Sequence, residues 1–208
     1  MVACRWTVID EKGRDIHNNL SRTFTTKSNL FESFFGPPFA HPTVMVRSDT
    51  IKKFYYRFSE DTKHIEDYDL WARMLLAGTR TKVLDDILFK YRNFSGNTTN
   101  RYHEVQSRNM ISCGLRNLSE FLSVELSEDI QKTVFNRQET TIGGFELINA
   151  IDKFVEIKKR YLKKVSPNIE ETKQINDFSA NHVSDILIQY ILKNEARSYP
   201  SIARVAYH

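Results

Sequence analysis

The chain has 208 residues, 40% of them hydrophobic and 12% aromatic, enough to bury a sizeable core as one domain or as a domain with a smaller module. No eighteen-residue window is wholly apolar, so composition excludes a membrane-spanning helix, and it excludes a disordered chain as well. Net charge is +4, with 15 basic against 12 acidic residues in positions 1 to 100 and 15 against 14 in positions 101 to 208, so neither half is a polycation of the kind that binds nucleic acid.

The opening "MVACRWTVIDEKG" carries no basic stretch followed by a long apolar run and a small-residue cleavage site, so the expected location is the cytoplasm. Its alternation, ending at Lys12-Gly13, predicts a strand entering a turn. Gly36, Pro37, Pro38 and Pro42 predict an irregular loop over residues 35 to 42. The β-branched run at residues 43 to 47 predicts a short buried strand, and Ser48 or Asp49 offers an N-cap for a short helix reaching about Phe54. Leu70, Trp71, Met74 and Leu75 recur at helical spacing, which predicts a helix from about Asp67 to Ala77 stopped by Gly78. Residues 82 to 92 predict a strand with Ile87, Phe89 and Tyr91 on one face and Leu88, Lys90 and Arg92 on the other.

Beyond residue 100 the pattern is helical only. Ile111, Leu115, Leu118 and Leu122 predict a helix over about 102 to 123. A second helix, set off by Gly143-Gly144, carries Leu147, Ile151, Phe154, Tyr161 and Val165. A third is predicted to start with Ser166 as N-cap and Pro167 at its first position, and its apolar residues run from Ile175 to Ile191. The chain therefore divides into an α/β part, residues 1 to 100, and an α-helical part, residues 101 to 208. Cys4 and Cys113 lack metal-ligand or C-x-x-C spacing and are expected to be free thiols in a reducing compartment.

Chemistry concentrates in "HIEDYDLWARM", residues 64 to 74. Glu66, Asp67 and Asp69 fall in the first turn of a helix, where negative charge suits the macrodipole and the unpaired N–H groups. Residues two apart point about 200° apart around a helix, so Asp67 and Asp69 are poorly placed to chelate one cation together.

Three stretches in order, "HPTVMVRSDTIKKF", "EDYDLWARMLLAG" and "ILFKYRNFSGNTT", resemble the acceptor-side half of family 2 glycosyltransferases of the GT-A fold. The likeness covers roughly residues 1 to 100. It implies a partial GT-A-like sheet with helices, followed by the all-α tail. It also implies an inverting hexosyltransferase of the kind that builds polysaccharides, using a nucleotide-sugar donor and a glycan or lipid-linked acceptor. Asp67 matches the family's general base, a carboxylate that takes the acceptor hydroxyl's proton as it attacks the anomeric carbon. Glu66 would orient Asp67 or the acceptor. Arg47 and Arg92 would meet a diphosphate or an acidic acceptor through bidentate contacts, or else pair with Glu66 or Asp69. His41 and Trp71 are the remaining substrate-side candidates, with a loop-fixing role for His41 and a core role for Trp71 as the alternatives.

The resemblance also implies a divalent metal, Mg or Mn, held by an Asp-x-Asp in a donor half that would precede Met1 and is not found in this chain. Phe94 stands where many relatives have a histidine. The expectation is thus a truncated, split or domain form, in which an exposed sheet edge would recruit a second copy or a separate donor-half chain. The competing expectation is a non-catalytic acceptor-binding or scaffold fragment. The basic run "KKRYLKK", residues 158 to 164, leaves room for peripheral membrane contact, with a solvated helix end as its alternative.

Overall fold

The computed structural model describes residues 1–19, 25–55, 59–94, 96, 101–136 and 142–198. Among them the chain forms a small sheet and mostly helix. Strand β1 (Val2–Ile9) pairs antiparallel with β2 (Asp15–Asn19) and parallel with β3 (Lys82–Arg92), in the order β2-β1-β3. The β1–β2 turn follows from Asp10, whose Oδ1 accepts the N–H groups of Lys12 (2.9 Å) and Arg14 (2.8 Å), and from Gly13 at φ 82°. β3 is three residues longer than β1, and the register shifts on either side of Arg5 absorb the difference. Asp85 takes an ion pair from Arg5 there, at 2.9 Å.

Residues 43 to 47 are not the predicted strand. A 3-10 turn at His41–Thr43 and the helix α2 (Ser48–Ile51), capped at Arg47, leave too few residues between them for one. A single bridge remains, Val2 to Met45, with two 2.8 Å hydrogen bonds, and Met45 is 77% exposed. α2 also stops short of Phe54 and takes no side-chain cap from Ser48 or Asp49.

Helix α1 (Thr26–Glu32) was hidden in a polar stretch. A capping box nucleates it, the Thr25 and Ser28 side chains each bonding the other's backbone N–H. Helix α3 (Glu66–Leu76) closes as its sequence predicts: Gly78, at φ 80°, donates to Leu75 O, and Thr79 donates to Met74 O, each at 2.9 Å. α4 (His103–Leu122) and α6 (Gly144–Val165) match their predicted spans, with the unforeseen α5 (Glu128–Val134) between them.

The last helix, α7 (Ile169–Ser198), starts later than predicted. Ser166 is the left-handed C-cap of α6, at φ 47°, and Asn168 with Glu171 forms the reciprocal cap of α7. The Asn168 side chain accepts the Glu171 N–H and the Glu171 carboxylate accepts the Asn168 N–H, while Ser166 is spent on the preceding helix.

One hydrophobic core draws on both parts of the chain. Phe31, Phe34 and Phe35, at the end of α1, meet Phe154 and Tyr161 of α6 and Phe178 of α7, with Phe35–Phe154 centroids 4.9 Å apart. Ala3 and Val83 of the sheet and Leu70, Trp71, Met74 and Leu75 of α3 belong to the same cluster. No described helix is long and apolar enough to cross a membrane.

Gly114 lets α4 seat against this core, because a Cβ there would collide with the Phe34 carbonyl and the Phe135 ring. An alanine in a helix normally gains about 1 kcal/mol over glycine. Here Gly114→Ala is expected to destabilise the fold by roughly 1–3 kcal/mol through overpacking, measured by urea unfolding.

Candidate functional site

The site begins with how α3 is held. Asp69 is fully buried, yet its two oxygens are satisfied separately: Oδ2 accepts from Arg73 Nε at 2.8 Å, and Oδ1 accepts from Arg116 of α4 at 2.6 Å. Arg73 continues the chain of contacts by donating to Tyr55 O at 2.6 Å. The Tyr68 hydroxyl donates to Ser33 O at 2.8 Å. Asp69 is thus a cross-link between helices and not a cap.

The approach to α3 is held by α4 as well. Asn109 donates to Glu60 O and Lys63 O, and Gln106 donates to His64 O at 2.9 Å. His64 has a left-handed backbone, φ 65°, and its ring stacks on Tyr102 with centroids 4.1 Å apart. Its N–H donates to Glu66 Oε1 at 3.1 Å, so Glu66 stabilises the bend that launches the helix.

Asp67 lies at the tip of this anchored helix, partly buried, with Oδ1 accepting the Tyr68 N–H at 2.8 Å. Burial raises its carboxyl above the ordinary carboxylate range, and the Tyr68 N–H and the nearby His41 offset only part of that rise. His41 is exposed, and its ring lies over Trp71, 6.2 Å between centroids at 26°. Trp71 is one helical turn beyond Asp67 and only 2% exposed, and its buried indole N–H has no hydrogen-bond partner among the described residues. The structure therefore brings Glu66, Asp67, His41 and Trp71 together. The loop that carries His41 also contributes Ala40 and Thr43 to the lining of a cavity of about 260 Å³, together with Trp6, Glu32 and Cys4.

Arg47 and Arg92 are placed elsewhere. Arg92 donates to the Asp10 and Glu11 carbonyls, at 3.0 and 2.7 Å, and so holds the β1–β2 turn. Arg47 is exposed at the start of α2, close enough to the terminal amine of Met1 to help lower its pKa after burial. The ion pairs of Asp69 are with Arg73 and Arg116.

Among the described residues no three His, Cys, Asp or Glu side chains converge as a metal site. With Asp69 facing two guanidinium groups, Asp67 and Asp69 do not fit a shared cation. Cys113, beside Arg116, is buried and its thiol is pushed up to about 11, which makes it unreactive.

The basic run of α6 meets the end of α4. Arg160 donates to Ser123 O and Lys164 to Phe121 O, while Lys164 also lies over the Phe121 ring. These cations satisfy the terminal carbonyls of a neighbouring helix. Arg73 could be found from its i, i+4 spacing to Asp69. Arg116, Gln106 and Asn109 carry no local signal, since their partners are more than forty residues away.

No protein-family model matches the chain, and no solved structure matches it. A stretch of 61 residues is 38% identical to the protein named "Putative glycosyltransferase EpsE" of Bacillus subtilis (strain 168), covering 29% of this chain and 22% of that protein. The matched stretch is thus less than a quarter of that relative's length. The similarity supports the class glycosyltransferase and nothing finer.

Two measurements test this geometry. Asp69→Ala leaves two guanidinium groups around an empty, buried position, and is expected to cost roughly 3–5 kcal/mol in urea unfolding. For Asp67 the folded pKa is raised, so its contribution is favourable while the carboxyl is protonated and is lost as pH rises through the folded pKa. Asp67→Asn is therefore expected to be more stable than the wild type at neutral pH, the gap closing as pH falls toward the unfolded value, read from thermal melts across pH.

Proposed function

We propose that this chain carries the acceptor-side base of an inverting, family 2-like glycosyltransferase with a partial GT-A-like arrangement, Asp67 being the base. The observation that carries the reading is the position of Asp67: a partly buried carboxylate of raised pKa at the tip of a helix locked from both sides. The partial likeness to a protein named as a glycosyltransferase, and the three ordered stretches around residues 41, 66 and 87, support it.

A base in water-like surroundings would be too weak a proton acceptor. Desolvation raises the Asp67 carboxyl and so makes its carboxylate a stronger proton acceptor. In the proposed step the acceptor hydroxyl gives its proton to an Asp67 carboxylate oxygen. The acceptor oxygen forms a bond to the anomeric carbon from the face opposite the nucleotide, and the bond to the diphosphate oxygen breaks with the electron pair leaving on the phosphate. The configuration at that carbon inverts. Glu66 accepts the His64 N–H at the bend before Asp67, and His41, exposed over Trp71, would meet the acceptor. The donor is a nucleotide sugar and the acceptor a glycan or a lipid-linked glycan. The metal that would accompany the diphosphate is assigned no ligand in this chain, and no step here depends on it.

Turnover of UDP-, GDP- and dTDP-hexoses with oligosaccharide acceptors, in the presence of Mg or Mn, tests the reading. Asp67→Asn is expected to lower kcat by roughly a hundredfold to ten-thousandfold with little change in KM. Because burial raises the Asp67 carboxyl, activity should fall on the acid side at a higher pH than a solvated aspartate would give. Undiminished turnover in Asp67→Asn would remove the assignment.

A further inference from the structure

At the start of β1 the sheet has an outer face that the hydrophobic core does not use. Val2 exchanges two 2.8 Å backbone hydrogen bonds with Met45 on one side and stands in register with Lys82 of β3 on the other. Neighbours across a sheet project from the same face, and so do residues two apart along a strand. Burial follows that rule. Met1, Ala3, Val44, Val46 and Val83 pack on the core, while the residues that alternate with them, Val2, Met45, Arg47, Arg80, Lys82 and Leu84, are exposed. Met45 is 77% exposed, and Val2 beside it and Leu84 further along β3 are each 37% exposed. The alternation ends after Leu84, where the register of β1 and β3 shifts. Arg47 lies within electrostatic reach of the Met1 amine, which donates to the Arg80 carbonyl at 3.0 Å, so these two residues bracket the start of β1.

The charge around these apolar side chains has one sign. Residues 1 to 4, 40 to 55 and 77 to 84 hold five cations, Arg47, Lys52, Lys53, Arg80 and Lys82, against one acid, Asp49. None of the five makes a side-chain hydrogen bond or ion pair among the described residues, whereas Arg160 and Lys164 of the α6 run are spent on carbonyls. Cations gathered without an internal counter-charge raise the potential of a surface and draw an anion from outside. The exposed apolar centre narrows that anion's chemistry. A soluble phosphate offers nothing for Met45 and Val2 to contact, whereas an anionic bilayer offers headgroup charge with acyl chains beneath it. We propose that this face docks on an anionic phospholipid surface, Met45 entering the boundary between headgroups and acyl chains while Arg47, Arg80 and Lys82 meet the lipid phosphates. Lys52 and Lys53, just past α2, add to the attraction. The inference does not depend on the chemistry assigned to Asp67.

Co-sedimentation of the full chain with phosphatidylcholine vesicles, with and without phosphatidylglycerol, tests it. The wild type is expected to bind the anionic vesicles, to leave the neutral ones alone and to be released by high salt. Arg47→Gln/Arg80→Gln/Lys82→Gln is expected to weaken that binding by roughly a hundredfold, about fivefold for each charge, while keeping the wild-type circular dichroism melt, because all three side chains are exposed. Lys158→Gln/Lys159→Gln/Lys163→Gln, which removes cations of the α6 run, is expected to leave binding unchanged. An environment-sensitive dye on Met45→Cys in a Cys4→Ser chain is expected to brighten and shift to the blue on anionic vesicles, Cys113 being buried. A wild type that does not bind overturns the proposal, as does a triple Arg47, Arg80 and Lys82 variant that binds like the wild type or melts early, an equal loss in the α6 variant, or a dye at position 45 that does not respond. Calorimetric binding of inorganic pyrophosphate without partition to vesicles would assign the face to a soluble anion and overturn it too. A wild-type dimer dissolved by Met45→Glu, again without partition, would assign it to a second copy with the same result.

Discussion

A carboxylate with no access to water must find its counter-charges inside the protein, and Asp69 finds two. Its oxygens divide between Arg73, one turn along the same helix, and Arg116, on a helix that begins 34 residues later. A buried pair of this kind contributes little net stability compared with good apolar packing, because desolvating the ions costs about as much as their attraction returns. Its effect is on register: α3 can sit against α4 in few ways that leave Asp69 satisfied. Partial exposure of Arg116 keeps the second positive charge in contact with solvent. The position of Asp67, two residues earlier on α3, is inherited from this constraint.

The helical part of the chain is consequently a builder of the site and not an appendage to it. α4 supplies Arg116 to α3, Gln106 and Asn109 to the segment entering it, and Tyr102 to the strained His64. α6 in turn fixes the end of α4 through Arg160 and Lys164, two of the five cations of the basic run. The Tyr161 hydroxyl reaches the Lys27 carbonyl of α1 at 2.6 Å, and burial raises its pKa beyond any physiological titration, so it acts as a permanent donor. Sheet, α1, α3 and the tail form one mechanical unit around a shared aromatic core.

That rigidity carries a cost at the tip of α3. Burial disfavours the ionised form of Asp67, and the cross-links behind it hold the helix that keeps the carboxyl in that environment. An indole N–H buried without a partner one turn away is a second local compromise in the same place.

Periodicity in the sequence sufficed for the long elements. The apolar spacings of α3, α4 and α6 located each to within one or two residues, because an amphipathic helix announces in its own residues which side must be buried. The alternation of β3 located the strand, although Val83 is its one buried residue. The glycine ending α3 and the acidic first turn were equally legible, being local demands of a helix end. What the sequence left undetermined was every choice that depends on a distant partner. Residues 43 to 47 have the composition of a strand, but competition from the turn before them and the helix after them left one bridge. Ser166 reads as an N-cap until the reversal between α6 and α7 claims it as the end of the earlier helix. Asp69 reads as a cap until Arg116 arrives, and Arg92 as a ligand-facing cation until two carbonyls of the β1–β2 turn take its N–H groups. Composition and spacing decide which segments can be helix or strand because those preferences act over a few residues. Tertiary contact alone decides which charge neutralises which, since the energy of an ion pair depends on a separation in space that the chain reveals only after it has folded.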